Sequence, residues 1–159
     1  IPMNVNDLAW VSLRLVYAWM FIYPAVGLTK QWPTTVQTTA LLFSVKPRLF
    51  ALASVAFMFV GGVMVLLGVY GWLAGAGFVA FNLGGAIIHY RLAAQAGAAS
   101  LSPEASTTDV STIKGLANLA VVGHVTSAQK NFVLAAVGLF FFLVGTGPCS
   151  VVGPRPPFW

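Results

Sequence analysis

The sequence predicts an all-α integral membrane protein, a bundle of four transmembrane helices with one or two short interfacial helices in the loops. Three observations carry this. Of 159 residues, 58% are apolar and only 7% are charged, against roughly 25% charged in an ordinary soluble domain. Eleven Asp, Glu, Lys and Arg residues cannot furnish a solvated surface, whereas lipid tolerates such a composition when every backbone group is satisfied internally. The apolar residues also gather into long segments with Trp, Lys and Arg at their ends, where membrane proteins keep them. The length suits one compact bundle, so residues 1–159 read as a single membrane domain.

The first span is expected from about Leu8 to Leu28. Asn6 and Asp7 can cap its start, Trp10 stands at one interface, and Lys30 and Trp32 stand at the other. Pro24 should kink its last turns. The segment lacks a basic leader region and is long enough to span, so it reads as a span and not as a cleaved signal. A polar loop follows, in which Thr38 to Val45 can form a short interfacial helix.

Lys46-Pro47-Arg48 opens the second span, 49–69, with proline in the first turn. Tyr70-Gly71-Trp72 is a tight turn into the third span, 72–90, so these two form a helical hairpin. Residues 92–111 are small and polar and contain Ser102-Pro103-Glu104, the best candidate for a mobile loop. Thr112 to Thr126, which holds Lys114, Asn118 and His124, reads as an interfacial helix or a re-entrant piece. The fourth span is expected over 131–147, and the proline-rich tail 150–159 should be extended and lie on the surface or dock.

The loops after spans one and three carry Lys30, Lys46, Arg48, Arg91, Lys114 and Lys130, and the opposite side carries only Arg155. Six basic residues against one places both long loops in the cytoplasm and both termini outside. Trp10, Trp72 and Trp159 then share the outer interface. Small residues recur at helical spacing: Ser54, Gly61 and Gly68; Ala76, Ala80 and Gly84; Gly138 and Gly145. Such stripes let membrane helices approach closely.

Several function classes are excluded on residue grounds. The basic residues are scattered, with no basic stripe, so nucleic acid is not a partner; lipid headgroups are. Cys149 is the single cysteine and can form no internal disulfide. The acids are Asp7, Glu104 and Asp109, so no span holds the carboxylate that an ion-coupled pump needs. No His/Cys/Asp group has metal-ligand spacing, and no glycine-rich loop precedes a helix with a phosphate-binding lysine. No catalytic residue is therefore named.

The residues that can bind a quinone, a pigment or a lipid headgroup are Arg14, Tyr17, His89 and Lys130. A charge inside a membrane helix is a functional hypothesis by default, and the Arg14 guanidinium suits a carboxylate, a quinone carbonyl or a lipid phosphate. Tyr17 and Phe21 share its face. His89 closes the third span, but a bis-histidine haem needs a second histidine at matched depth on a facing helix, and His124 lies in the loop region. Asn82 and Gln129-Lys130-Asn131 can line a headgroup-level pocket or act as helix glue. Arg14 falls near the outer face and His89 near the inner one, so they do not easily share one headgroup.

Arg14 followed by Gly27-Leu28-Thr29-Lys30, the glycine-rich hairpin Gly61-Gly62 to Gly68 and Gly71, Lys130-Asn131 and Gly145-Thr146-Gly147-Pro148 together resemble the DoxX family of small four-span bacterial membrane proteins and its relative DoxD. The resemblance implies a cytoplasmic-membrane location and a link to membrane redox systems, with thiosulfate oxidation coupled to quinone reduction in DoxD-type proteins alongside a second subunit. The first expectation is an accessory, non-catalytic subunit of a larger bacterial electron-transfer complex of respiratory or photosynthetic type. The second is a quinone-interacting subunit of a thiosulfate:quinone-type oxidoreductase. A small-solute transporter is the third. Quinone is the expected cofactor, bound lipid is expected beside it, and other membrane subunits are the expected partners.

Overall fold

The computed structural model describes residues 4–99 and 106–158. It is helical, with α1 (Val5–Lys30), α2 (Trp32–Thr39), α3 (Pro47–Leu67), α4 (Gly71–Gly97) and α5 (Thr107–Val144). Four of these, of 26, 21, 27 and 38 residues, are long and apolar enough to cross a membrane. Their outward faces carry Leu15, Trp19, Leu52, Leu73 and Val133, all more than half exposed, which is the pattern expected when lipid is the solvent.

Local chemistry sets each boundary. Asn4 caps α1 in a reciprocal capping box: its Oδ1 accepts from the Asp7 amide, and Asp7 accepts from the Asn4 amide. The helix continues through Pro24 to Lys30. With Pro33 in its first turn, α2 begins six residues earlier in the loop than the Thr38 to Val45 segment expected to be helical; there the Thr35 and Thr39 hydroxyls donate back to the Gln31 and Thr35 carbonyls. Gly68 (φ 66°) ends α3 in the left-handed region and Tyr70 (φ 46°) precedes α4 in the same region, which folds the α3–α4 hairpin in three residues.

The largest departure from the sequence reading lies between 91 and 130. The third span does not stop at Tyr90, because α4 continues to Gly97. The separate helix expected over Thr112 to Thr126 and the short span expected over 131–147 are one uninterrupted helix, α5. Its start is fixed by Ser106, whose hydroxyl oxygen accepts from the Asp109 amide. The expected loop 92–111 is thus helical at both ends, and its middle, 100–105, lies outside the described residues, as does Trp159. At 1.5 Å per residue α5 is about 57 Å long, nearly twice the roughly 30 Å of bilayer hydrocarbon. Since Val144 ends level with the α3–α4 turn, the polar first half of α5 stands beyond the membrane on the Lys30/Arg91 side. Polarity excluded that half from a span but did not break the helix.

The tail docks on the α3–α4 turn. Val151 and Val152 amides donate to Leu67 and Gly68 carbonyls, the Tyr70 amide donates to the Val152 carbonyl, and the Thr146 amide donates to the Pro154 carbonyl. The core between α1, α3, α4 and α5 is aromatic. Phe21 stacks on Phe78 with ring centroids 3.9 Å apart, and Tyr17 meets Phe78 and Phe141 edge-on. Beside it α4 and α5 touch through Gly75 and Gly138: a Cβ on Gly75 would stand 2.6 Å from the Gly138 carbonyl oxygen.

Candidate functional site

Below this aromatic layer, toward the long loops, the helices splay apart. Between them lies a half-open cavity of about 750 Å³ bounded by α1, α2, α3, α4 and the middle of α5, within the range of roughly 300–1,000 Å³ usual for small-molecule sites. Its floor and walls are apolar, with Phe21, Pro24, Leu28, Phe57, Met58, Phe81 and Leu134. The small residues Ser54, Ala80 and Gly84, expected to form helix seams, line this space instead.

Polar groups converge at one end. Asn82, Gly85 and His89 follow one another at i, i+3 and i+7 along a single face of α4, and Lys130 and Asn131 face them from α5. The missing side chain at Gly85 is what lets the two helices present both carboxamides here: a Cβ on Gly85 would stand 2.7 Å from Asn131 Nδ2. Asn82 is 1% exposed and Asn131 8% exposed. Asn82 Nδ2 donates to the Phe78 carbonyl at 2.7 Å; among the described residues neither Asn82 Oδ1 nor the Asn131 carboxamide has a protein partner. Both groups therefore open onto the cavity and are free to hydrogen-bond a polar group placed in it.

Helix α2 forms the cavity's lid on the loop side through Thr34, Thr35, Thr38 and Thr39, with Gln31 beside them. The Thr35 hydroxyl donates to the Leu28 carbonyl at 2.8 Å and that of Thr39 to the Thr35 carbonyl at 2.8 Å. Both hydroxyls are thereby spent on backbone carbonyls. Arg91 donates to the Leu41 carbonyl and ties the turn after α2 to α4.

The four residues singled out from the sequence divide into two places. His89 and Lys130 line the cavity; Arg14 and Tyr17 do not. Arg14, 4% exposed, lies at the opposite end of the bundle, where its guanidinium donates to Ser150 Oγ at 3.0 Å and to the Cys149 carbonyl at 3.2 Å, and its Nε has no partner. It clamps the tail against the end of α3. Tyr17 sits in the aromatic core, 2% exposed, and donates to the Leu134 carbonyl at 2.8 Å, joining α1 to α5.

His89 and His124 meet across α4 and α5, Nδ1 to Nδ1 at 3.1 Å, with ring centroids 5.4 Å apart. That centroid separation is close to the largest that such a contact permits, so the rings meet end to end. This is the geometry of an N–H···N hydrogen bond in which one imidazole donates and the other accepts, and not of two lone pairs converging on one ion. Among the described residues no group of three or more His, Cys, Asp or Glu side chains is placed to hold a metal.

The α2 threonines escaped the sequence reading of the site. Their i, i+1, i+4, i+5 spacing is the one signal that marks them, since it puts Thr34, Thr38 and their neighbours on one strip of a helix. The depth at which α5 faces α4 was also hidden, because it depends on α5 being continuous.

The profile of the DoxX family matches residues 9–91, rather more than half of the chain, from α1 through most of α4. No curated protein and no solved structure matches it. Asn82, Gly85 and His89 fall within the matched region, and Lys130 and Asn131 lie beyond it on α5. By the extent of that match, this four-span membrane protein belongs to the DoxX family.

Proposed function

We propose that this chain is a membrane subunit of a bacterial electron-transfer assembly, and that its cavity holds the headgroup of a quinone. One observation carries the reading. An apolar space large enough for a ring and the start of an isoprenoid chain ends in two buried carboxamides without protein partners. A quinone matches that division, with a flat apolar ring for Phe21, Phe57 and Phe81 and oxygens on its rim for Asn82, Asn131, His89 and Lys130. The quinone supplies the redox chemistry. The chain's residues exclude water, orient the ring and hydrogen-bond its oxygens, and a partner subunit in the cytoplasmic membrane supplies the electrons. Arg14, at the far end of the bundle, serves the fold in this reading.

The test is binding of a short-chain ubiquinone analogue to the purified chain in phosphatidylcholine nanodiscs, followed by calorimetry. Saturable binding is expected, and Ser54→Phe, which puts a ring into the cavity, is expected to abolish it. Binding absent from the wild-type chain, or unaffected by Ser54→Phe, overturns the reading.

A further inference from the structure

We infer that this site distinguishes the two redox forms of its ligand, that it holds the hydroquinone more tightly than the quinone, and that Asn82 Oδ1 is the atom that makes the distinction. The inference rests on the quinone reading of the cavity and names which form the cavity is built for.

The orientation of the Asn82 carboxamide is fixed by chemistry. Its amide nitrogen lies 2.7 Å from the Phe78 carbonyl oxygen, one turn back on the same helix. Exchanging nitrogen and oxygen would bring two acceptors together at that distance, so Nδ2 must face the backbone and Oδ1 must face away from it. The oxygen is also accessible: of the side-chain nitrogens and oxygens described, Arg14 Nε alone is both fully buried and without a partner. Asn82 is 1% exposed, so the space its oxygen opens onto is the cavity it lines.

The neighbouring polar groups are not fixed in this way. The Asn131 carboxamide has no protein partner that would determine which end it presents. His89 shares its Nδ1 with His124 in either tautomer, and the exposed Lys130 ammonium can turn to water. These three adapt to a donor or an acceptor. Asn82 spends one amide proton on Phe78 and turns its acceptor oxygen toward the cavity. A quinone carbonyl brought to it sets acceptor against acceptor and leaves both unpaired in an apolar space. A hydroquinone O–H donates to it. A buried site made to pair with a hydroxyl discriminates against the analogue that lacks the donor.

The experiment measures the affinity of one quinone head in its two redox forms, in phosphatidylcholine nanodiscs so that the lipid headgroup brings no hydroxyl. The hydroquinone is expected to bind about tenfold more tightly, which raises the midpoint potential of the bound two-electron couple by about 30 mV. Asn82→Leu is expected to bring the two affinities within about twofold of each other. The dimethyl ether of the hydroquinone, the same ring without its donors, keeps the test independent of whether that variant folds; it is expected to bind to the wild-type chain as weakly as the quinone. Equal binding of quinone and hydroquinone, or of hydroquinone and its ether, overturns the inference and leaves the quinone reading standing. Failure of all three to bind removes both.

Discussion

The close backbone approach of α4 to α5 at Gly75 makes a sharp prediction about stability. A methyl group on Gly75 would stand 2.6 Å from the Gly138 carbonyl oxygen and 2.9 Å from both Phe141 Cβ and the Phe142 amide nitrogen. None of these is the free end of a flexible side chain, so Gly75→Ala is relieved only if α5 withdraws. Reaching an ordinary contact of 3.4 Å asks for about 0.8 Å of withdrawal; a gap of that size forfeits roughly a quarter to a half of each contact's dispersion energy along the seam. Overpacking of this kind costs about 1–3 kcal/mol, and the better helix propensity of alanine returns about 1 kcal/mol. Gly75→Ala is therefore expected to lose up to about 2 kcal/mol net, and the branched Gly75→Val, with no such offset, about 3 kcal/mol. Gly115 and Gly123 have nothing within 4 Å of the same position, so alanine there should gain up to about 1 kcal/mol each from propensity alone. Reversible unfolding by sodium dodecyl sulfate in mixed micelles, followed by tryptophan fluorescence, measures all four. A Gly75→Ala protein as stable as wild type, or a Gly115→Ala protein that loses as much, refutes the packing argument.

Other outcomes follow from single contacts. Tyr17→Phe removes the bond to the Leu134 carbonyl without changing the ring packing, and is expected to lower stability in the same assay by about 0.5–1.5 kcal/mol. Arg14→Met frees Ser150 and the Cys149 carbonyl, and amide exchange at Val151 and Val152 should then accelerate at least about tenfold, since their bonds to α3 lose the clamp beside them. His124→Leu breaks the hydrogen bond that ties α5 to α4 at His89, so exchange along residues 117–124 should rise while the core around Phe78 stays protected. Cys149 is exposed at the Arg14 end of the bundle; the basic residues predict that this end faces outside, so a membrane-impermeant maleimide should label it in intact spheroplasts, and labelling only after lysis would reverse that orientation.

Much of the fold is legible because its causes are local. Asp7, Lys46 with Pro47, and Gly68 with Gly71 set helix boundaries through short-range chemistry, although the cap that pairs with Asp7 is Asn4 and not the expected Asn6, which lies inside the helix; the apolar segments between them are long enough to cross a bilayer. The continuity of α5 is not legible in the same way. Residues 107–126 are too polar for lipid but perfectly able to stay helical in water, and what carries them on as helix is pairing with α4, seen at His89 with His124. The site depends on that pairing. His89 and Lys130 are conspicuous in the sequence as polar residues at span ends, and the structure brings them to one cavity. Arg14 is more conspicuous still, yet its partners lie 135 and 136 residues away in the tail, a distance no helical periodicity reports. Ser54, Ala80 and Gly84 carry an ambiguous signal: small residues permit close packing, and they equally leave a space where no helix fills it.

The central claim is that a quinone head occupies the space between Asn82 and Asn131. Photoaffinity labelling with an azidoquinone in native membranes tests it most directly. Label is expected on the peptides that contain residues 80–89 of α4 and 130–134 of α5, and excess unlabelled quinone is expected to displace it. Label spread over the lipid-facing residues Leu52, Leu73 and Val133, or gathered at the opposite end of the bundle around Arg14 and Ser150, would contradict the account.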